Sequence, residues 1–138
     1  MTFPSPIHYS REDSPGWNIK DWQTANKLLS YLSLEGMSFA IFEKPDGSYV
    51  QCAGCKRRLT VEARVYENGG RFRHYVFGKG QLTGSVEKIQ TTDYEVTVDA
   101  SQVLQMRHAR CIMKPWLEGG SFPQEFTATD VTERFSEA

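Results

Sequence analysis

The stretch Thr60 to Lys79, TVEARVYENGGRFRHYVFGK, constrains the fold more than any other part of this chain. Two runs rich in β-branched and aromatic residues flank Asn68-Gly69-Gly70, residues that tolerate positive φ. The pattern predicts a β-hairpin from about Leu59 to Phe77. The turn closes on Asn68-Gly69 or on Gly69-Gly70. These two registers differ by two residues, so both leave each side chain on the same face. On either reading Val61, Ala63 and Val65 share a core face with Phe72, His74 and Val76. Glu62, Arg64 and Tyr66 share the outer face with Arg71, Arg73, Tyr75 and Phe77. Arginine and aromatic residues on a rigid sheet are the types enriched at binding hot spots. The expected contact set is Glu62, Arg64, Tyr66, Glu67, Arg73, Tyr75 and Phe77, and the pattern points to binding rather than reaction.

A length of 138 residues predicts one domain over 1–138, with enough chain for a core that needs no disulfide. The formal net charge of −1 argues against nonspecific nucleic-acid binding, which needs a basic footprint. Every apolar run is too short to cross a bilayer, so no membrane role is expected. The start, MTFPSPIHYS, lacks a basic region followed by an apolar run. Three cysteines, Cys52, Cys55 and Cys111, are an odd number that fits a reducing compartment. The cytoplasm is the expected location.

Residues 1–16, with Pro4, Pro6 and Pro15, read as a loop or extended arm. Asn18 is the expected cap of a first helix, with Asp21 at its third position and a staple between Trp17 and Trp22. Trp22, Ala25, Leu29 and Leu32 form its apolar stripe, and Gly36 ends it. Ser38 to Glu43 reads as a strand, and Lys44-Pro45-Asp46-Gly47 as a type I turn. Ser48 to Cys52 is its partner, broken by Gly54. After the central hairpin, weaker strands are expected over Ser85 to Thr91 and around Tyr94, Val96 and Val98. Asp99, with Gln102, is expected to cap a second helix. Met106, Ala109, Met113, Trp116 and Leu117 form its apolar side, and Pro115 kinks or stops it. Residues 120–138 read as an irregular tail, with one helical turn or an edge strand near Asp130 to Phe135. The expected fold is α+β, a mostly antiparallel five- or six-stranded sheet with an N-terminal and a C-terminal helix packed on one face.

Sites of chemistry are weakly marked. Cys52-Ala53-Gly54-Cys55 has the spacing of a zinc or redox pair, and Cys111 with one of His8, His74 or His108 could in principle complete a ligand set, though nothing in the spacing supports that. That makes a small thiol or zinc module the alternative function. A second paired motif is missing, and free cysteines in a turn are the simpler reading. His74 reads as a core or boundary histidine rather than a base. The carboxylates are scattered, and Gly78-Lys79-Gly80 lacks the length of a phosphate-cradling loop. Arg107, Arg110 and Lys114 read as a solvent-facing stripe. No catalytic residue and no cofactor is expected.

The element order, with SFAIFEKPDGSYVQ, then TVEARVYENGGRFRHYVFG, then the tail PWLEGGSFPQEFTATDVTERF, resembles immunity proteins of bacterial polymorphic toxin systems. These include contact-dependent inhibition and type VI effector pairs, and the chain is most similar to the first immunity family. The resemblance covers about Trp22 to Phe135 and departs from the family at Cys52-Cys55 and at Thr127-Ala128. It implies a non-enzymatic cytoplasmic protein. Such a protein binds a cognate toxin C-terminal domain, of nuclease or deaminase type, and blocks its active site or substrate access. Against a nuclease groove, Glu62, Glu67, Asp93 and Glu95 are the acidic groups available to mimic phosphates.

Overall fold

The central hairpin pairs Tyr66 with Phe72, Arg64 with His74 and Glu62 with Val76 in the computed structural model, which describes residues 2–135. The loop holds three residues, Asn68–Gly70, and the Glu67 N–H donates to the Arg71 carbonyl at 2.7 Å. Gly69 and Gly70 both take positive φ, 80° and 78°, as expected of glycine there. Neither two-residue turn forms. The observed register lies one residue from each of them, and a one-residue shift moves every side chain of the second strand to the other face. Phe72, His74 and Val76 therefore stand beside Glu62, Arg64 and Tyr66. Arg73, Tyr75 and Phe77 stand on the side of Val61, Ala63 and Val65.

The strands are β1 (Ile7–Arg11), β2 (Ser14–Ile19), β3 (Phe39–Glu43), β4 (Tyr49–Cys55), β5 (Arg58–Tyr66), β6 (Phe72–Gly78), β7 (Val86–Gln90), β8 (Glu95–Asp99) and β9 (Thr127–Asp130). Seven of them form an antiparallel sheet in the order β2-β1-β3-β4-β5-β6-β9, and β7 and β8 form a separate ribbon. The helices are α1 (Trp22–Leu29) and α2 (Met106–Leu117). The α+β class holds, with a wider sheet than the sequence suggested. The N-terminal arm is two strands, so α1 follows β2 rather than opening the fold. The tail contributes β9 as an edge strand and then a 3-10 turn at Thr132–Phe135. The last three residues of that tail, 136–138, and Met1 of the arm lie outside the described residues.

Both helices cover one face. Ala25 and Leu29 of α1 and Met106, Ala109, Ile112, Met113, Trp116 and Leu117 of α2 are buried on it. Beneath them Tyr9, Phe42, Val50 and Ala63 lie in cross-strand succession, with Cys52 opposite Val61. Asp21, not Asn18, caps α1, its carboxylate accepting from the Thr24 amide at 2.9 Å. Asp99 with Gln102 forms the expected box, but around a 3-10 turn, Ala100–Gln102. Helix α2 starts at Met106 behind its own cap, where the Gln105 N–H donates to His108 Nδ1 at 2.9 Å. Pro115 lies inside α2, which continues to Leu117. The carbonyl that loses its partner belongs to Cys111, on the exposed side.

The β7–β8 ribbon covers part of the opposite face, where Ile89 and Val98 bury against Val76 and Val131. Its seat is Gly54, which lies inside β4 rather than breaking it and has φ of 128°. A Cβ there would approach the Arg58 carbonyl oxygen to 2.4 Å and Ile89 Cγ2 to 2.9 Å. The far end of the ribbon is tied down through Ser38. The Glu12 carboxylate accepts from the Ser38 hydroxyl and from the Ser38 and Phe39 amides, and the Ser38 hydroxyl accepts from the Thr92 amide at 2.9 Å. This chain fastens the β1–β2 turn, the start of β3 and the β7–β8 turn together.

Gly54→Ala is expected to cost about 2–3 kcal/mol, because the backbone is strained and the ribbon must lift. Gly69→Ala, with open space around it, is expected to cost about 1 kcal/mol. Urea unfolding of the two variants tests the difference. The Asp99 carboxylate accepts from the Ser101 hydroxyl at 2.6 Å and from the Thr83 and Gly84 amides at 3.0 and 2.8 Å. These bonds, the Ser101 hydroxyl first, hold its carboxyl well below the usual carboxylate range. A depressed folded-state pKa adds stability above the unfolded value of about 4 and loses it as pH falls toward the folded value. Asp99→Asn is expected to lower the thermal midpoint at pH 7 and to flatten the acid-side fall between roughly pH 5 and pH 2.

Candidate functional site

The sheet face opposite the helices is open beyond the β7–β8 ribbon. A cross-strand row runs along it through Asn18, His8, Glu43, Tyr49, Arg64 and His74, one residue from each of six strands. A second row, Ser10, Ile41, Gln51, Glu62 and Val76, lies beside it. Directly opposed residues in antiparallel strands share a face, so register alone gathers these side chains.

His74 organises the centre of the face and is only 3% exposed. Arg64 Nε donates to His74 Nδ1 at 3.2 Å, and His74 Nε2 lies 2.9 Å from Glu62 Oε1. A guanidinium only donates, so Nδ1 accepts, the ring proton sits on Nε2, and that proton is donated to Glu62. Both ring nitrogens are occupied, which leaves His74 no lone pair for a substrate proton. Both nitrogens of the buried imidazole are satisfied, as buried polar groups require.

Aromatic rings frame Arg64. Its Cζ lies 4.0 Å from the centroid of Phe72 and 4.6 Å from that of Phe135, with Tyr49 at 5.9 Å. The Phe72 and Phe135 centroids are 6.4 Å apart with 69° between planes. The rings therefore make a corner, not a sandwich, and cation–π attraction holds the guanidinium in it. Phe135 also packs on His74 at 4.4 Å between centroids. The tail reaches this point because the Val131 N–H donates to the His74 carbonyl at 2.8 Å and the His74 N–H to Thr132 Oγ1 at 2.9 Å.

Of the seven expected contact residues, Glu62, Arg64 and Tyr66 stand on this open face. Phe77 is fully buried beneath the helices, and Tyr75 packs half-buried against the same core. Arg73 stands on the helix side near the sheet edge, with Glu67 at 3.4 Å and Asp130 at 3.3 Å. Tyr49, Phe72, His74 and Phe135 complete the site. Tyr49 was missed, although it lies in the strand expected over Ser48 to Cys52, and Phe72 and His74 were displaced by the register. The placement of Phe135 had no local signal. The four acidic residues do not form a bare patch. Glu62 is bonded to His74 and Glu67 is paired with Arg73. Burial raises the Tyr94 hydroxyl above its ordinary range, and Glu12, Glu62 and Asp93 add to the rise, so some acidic charge does gather beside Tyr94.

The cysteines are separated rather than gathered. Cys52 and Cys55 lie within β4, not in a turn, and three residues along a strand place them on opposite faces. Cys52 is fully buried on the helix side, where burial pushes its thiol up to about 12. Cys111 is exposed on α2. Among the described residues no three His, Cys, Asp or Glu side chains gather into a metal-ligating group. His108 caps α2, and burial, then Arg107 and Lys79, push its imidazole below the usual range. No helix among the described residues is long and apolar enough to cross a membrane.

Comparison with known proteins finds no matching family model, no matching curated protein and no matching solved structure. A thiol reagent at pH 8 is expected to label Cys111 in the native protein and Cys52 only after denaturant is added. The thiolate fraction of Cys52 there is about a thousandfold below that of an ordinary cysteine. Mass spectrometry of tryptic peptides identifies the labelled position.

Proposed function

We propose that this chain is an immunity protein. It binds a cognate bacterial toxin domain, of nuclease or deaminase type, and neutralises it by blocking the active site or substrate access. The observation that carries the reading is the open sheet face centred on Arg64. There a guanidinium already fixed by His74, Phe72 and Phe135 stands among Tyr49, Tyr66 and Gln51. An inhibitor of this kind acts by affinity alone. Aromatic and arginine anchors held in place before binding give affinity with little ordering cost. The occupied nitrogens of His74 weigh against a hydrolytic use of the Glu62–His74 pair. The resemblance of the sequence to immunity proteins supplies the partner class, and a reducing cytoplasm is where such a partner would be met.

The test is to look for a toxin C-terminal domain encoded beside this gene and to co-express it with this chain. Rescue of growth, and a complex on size-exclusion chromatography, are the expected results. Toxicity unrelieved by this chain, with no complex, would falsify the reading. Arg64→Ala and Tyr49→Ala are each expected to weaken the complex by about 2 kcal/mol, roughly thirtyfold in Kd. Tyr75→Ala is expected to act on stability more than on binding, since its ring packs on the core. Calorimetry of binding, beside thermal melts of the same variants, separates the two effects.

A further inference from the structure

We infer that Arg64 is a fixed receptor for one carboxylate, an Asp or Glu side chain that the partner protein brings to the open face. This rests on the binding role proposed above and names the partner's chemistry at that site. A guanidinium presents two forks to a carboxylate, one through Nε and a terminal nitrogen, the other through both terminal nitrogens. Here Nε is committed to His74, so only the end-on fork remains. Neither terminal nitrogen has a hydrogen-bond partner among the described residues. The side chain is half-buried.

Three features prepare this fork. The bond to His74, itself tied to Glu62, fixes the rotation of the guanidinium about its long axis. The ring corner of Phe72 and Phe135 fixes its plane and displaces water from its sides. A charge-assisted bond formed in such surroundings is stronger than one in open water. Arg71 stands exposed at the rim of the adjoining pocket, which Phe72 and Phe135 also line. Charge selects the ligand. Glu43 and Glu62 both act on the Tyr49 hydroxyl, as Arg64 does. A dianionic phosphate would therefore meet two carboxylates, Glu43 and Glu62, against Arg64 and the Arg71 of the adjoining pocket. A planar monoanion with two oxygens matches the fork in shape and meets less repulsion.

The experiment follows the Arg64 side-chain nitrogens of the isotopically labelled protein by NMR. Sodium acetate, inorganic phosphate and sodium chloride are added separately at matched ionic strength. Acetate is expected to shift the Arg64 Nε–Hε signal and slow the rotation of its terminal nitrogens along a saturating curve, with chloride giving no such curve. Phe135→Ala, which keeps the charge and the His74 bond, is expected to weaken the acetate response about threefold. In Arg64→Lys, acetate is expected to leave the Glu62 and His74 resonances where chloride leaves them. An acetate response no different from that of chloride overturns the proposal. A phosphate response equal to or larger than that of acetate also overturns it, because the site is then a general anion or phosphate site. Growth rescue that persists without an acetate response removes the carboxylate anchor alone. An acetate response without rescue removes the toxin partner and leaves the receptor standing.

Discussion

The pairing of β5 with β6 around a three-residue loop is the constraint on which the rest of the sheet depends. Strand side chains alternate with a period of two, so this one register decides what each face is made of. It places Phe77 and Tyr75 under the helices beside Val61 and Ala63. It places Phe72 and His74 beside Arg64 and Glu62. The helix side then becomes a continuous apolar layer, and the polar residues of β5 meet a histidine that uses their hydrogen bonds. The neighbouring register would carry His74 beneath the helices, away from Glu62 and Arg64, and leave Phe77 and Tyr75 on the open face, each change unfavourable by desolvation or by lost burial.

The two faces are closed by different means. On one, α1 and α2 supply Leu29, Ile112, Met113 and Leu117, and hydrophobic burial does most of the stabilising. On the other, the β7–β8 ribbon buries a small patch around Ile89, and hydrogen bonds fix its position. Glu12, Ser38 and Thr92 form one such chain, and Asp99 with Thr83, Gly84 and Ser101 forms another. The ribbon is short, and the sheet is wide. Along the rows from Asn18 to Arg64 and from Ser10 to Glu62 there is therefore a stretch of polar and aromatic surface that the described residues leave at least partly exposed.

That surface is rigid where it counts for recognition. Glu62, His74 and Arg64 satisfy one another, and Phe135 arrives from the C-terminal turn to close the aromatic corner. A side chain ordered before contact loses little entropy on contact. The arrangement fits the binding role proposed above. It suits proton transfer poorly, because the imidazole has both nitrogens engaged. The cysteines, placed on opposite sides of β4 and on a distant helix, belong to packing and surface rather than to a shared site.

Local sequence determined a good deal of this protein. Strand-forming residues marked β3 to β8, proline and glycine marked the Lys44 to Gly47 turn, and helical spacing marked the buried stripe of α2 from Met106 to Leu117. These signals are local because they depend on side-chain period and turn geometry within a few residues. Only the tertiary structure decided the rest. Whether the Asn68-Gly69-Gly70 loop closes over two residues or three turns on which pairing best buries both strands, a sum over contacts from β4, α2 and β9. The arm became β1 and β2 because β3 offered it an edge, despite Pro15. The site around Arg64 joins residues from four separate segments, with Phe135 some seventy positions from its partner, and no short-range pattern encodes a meeting that only sheet order and register bring about.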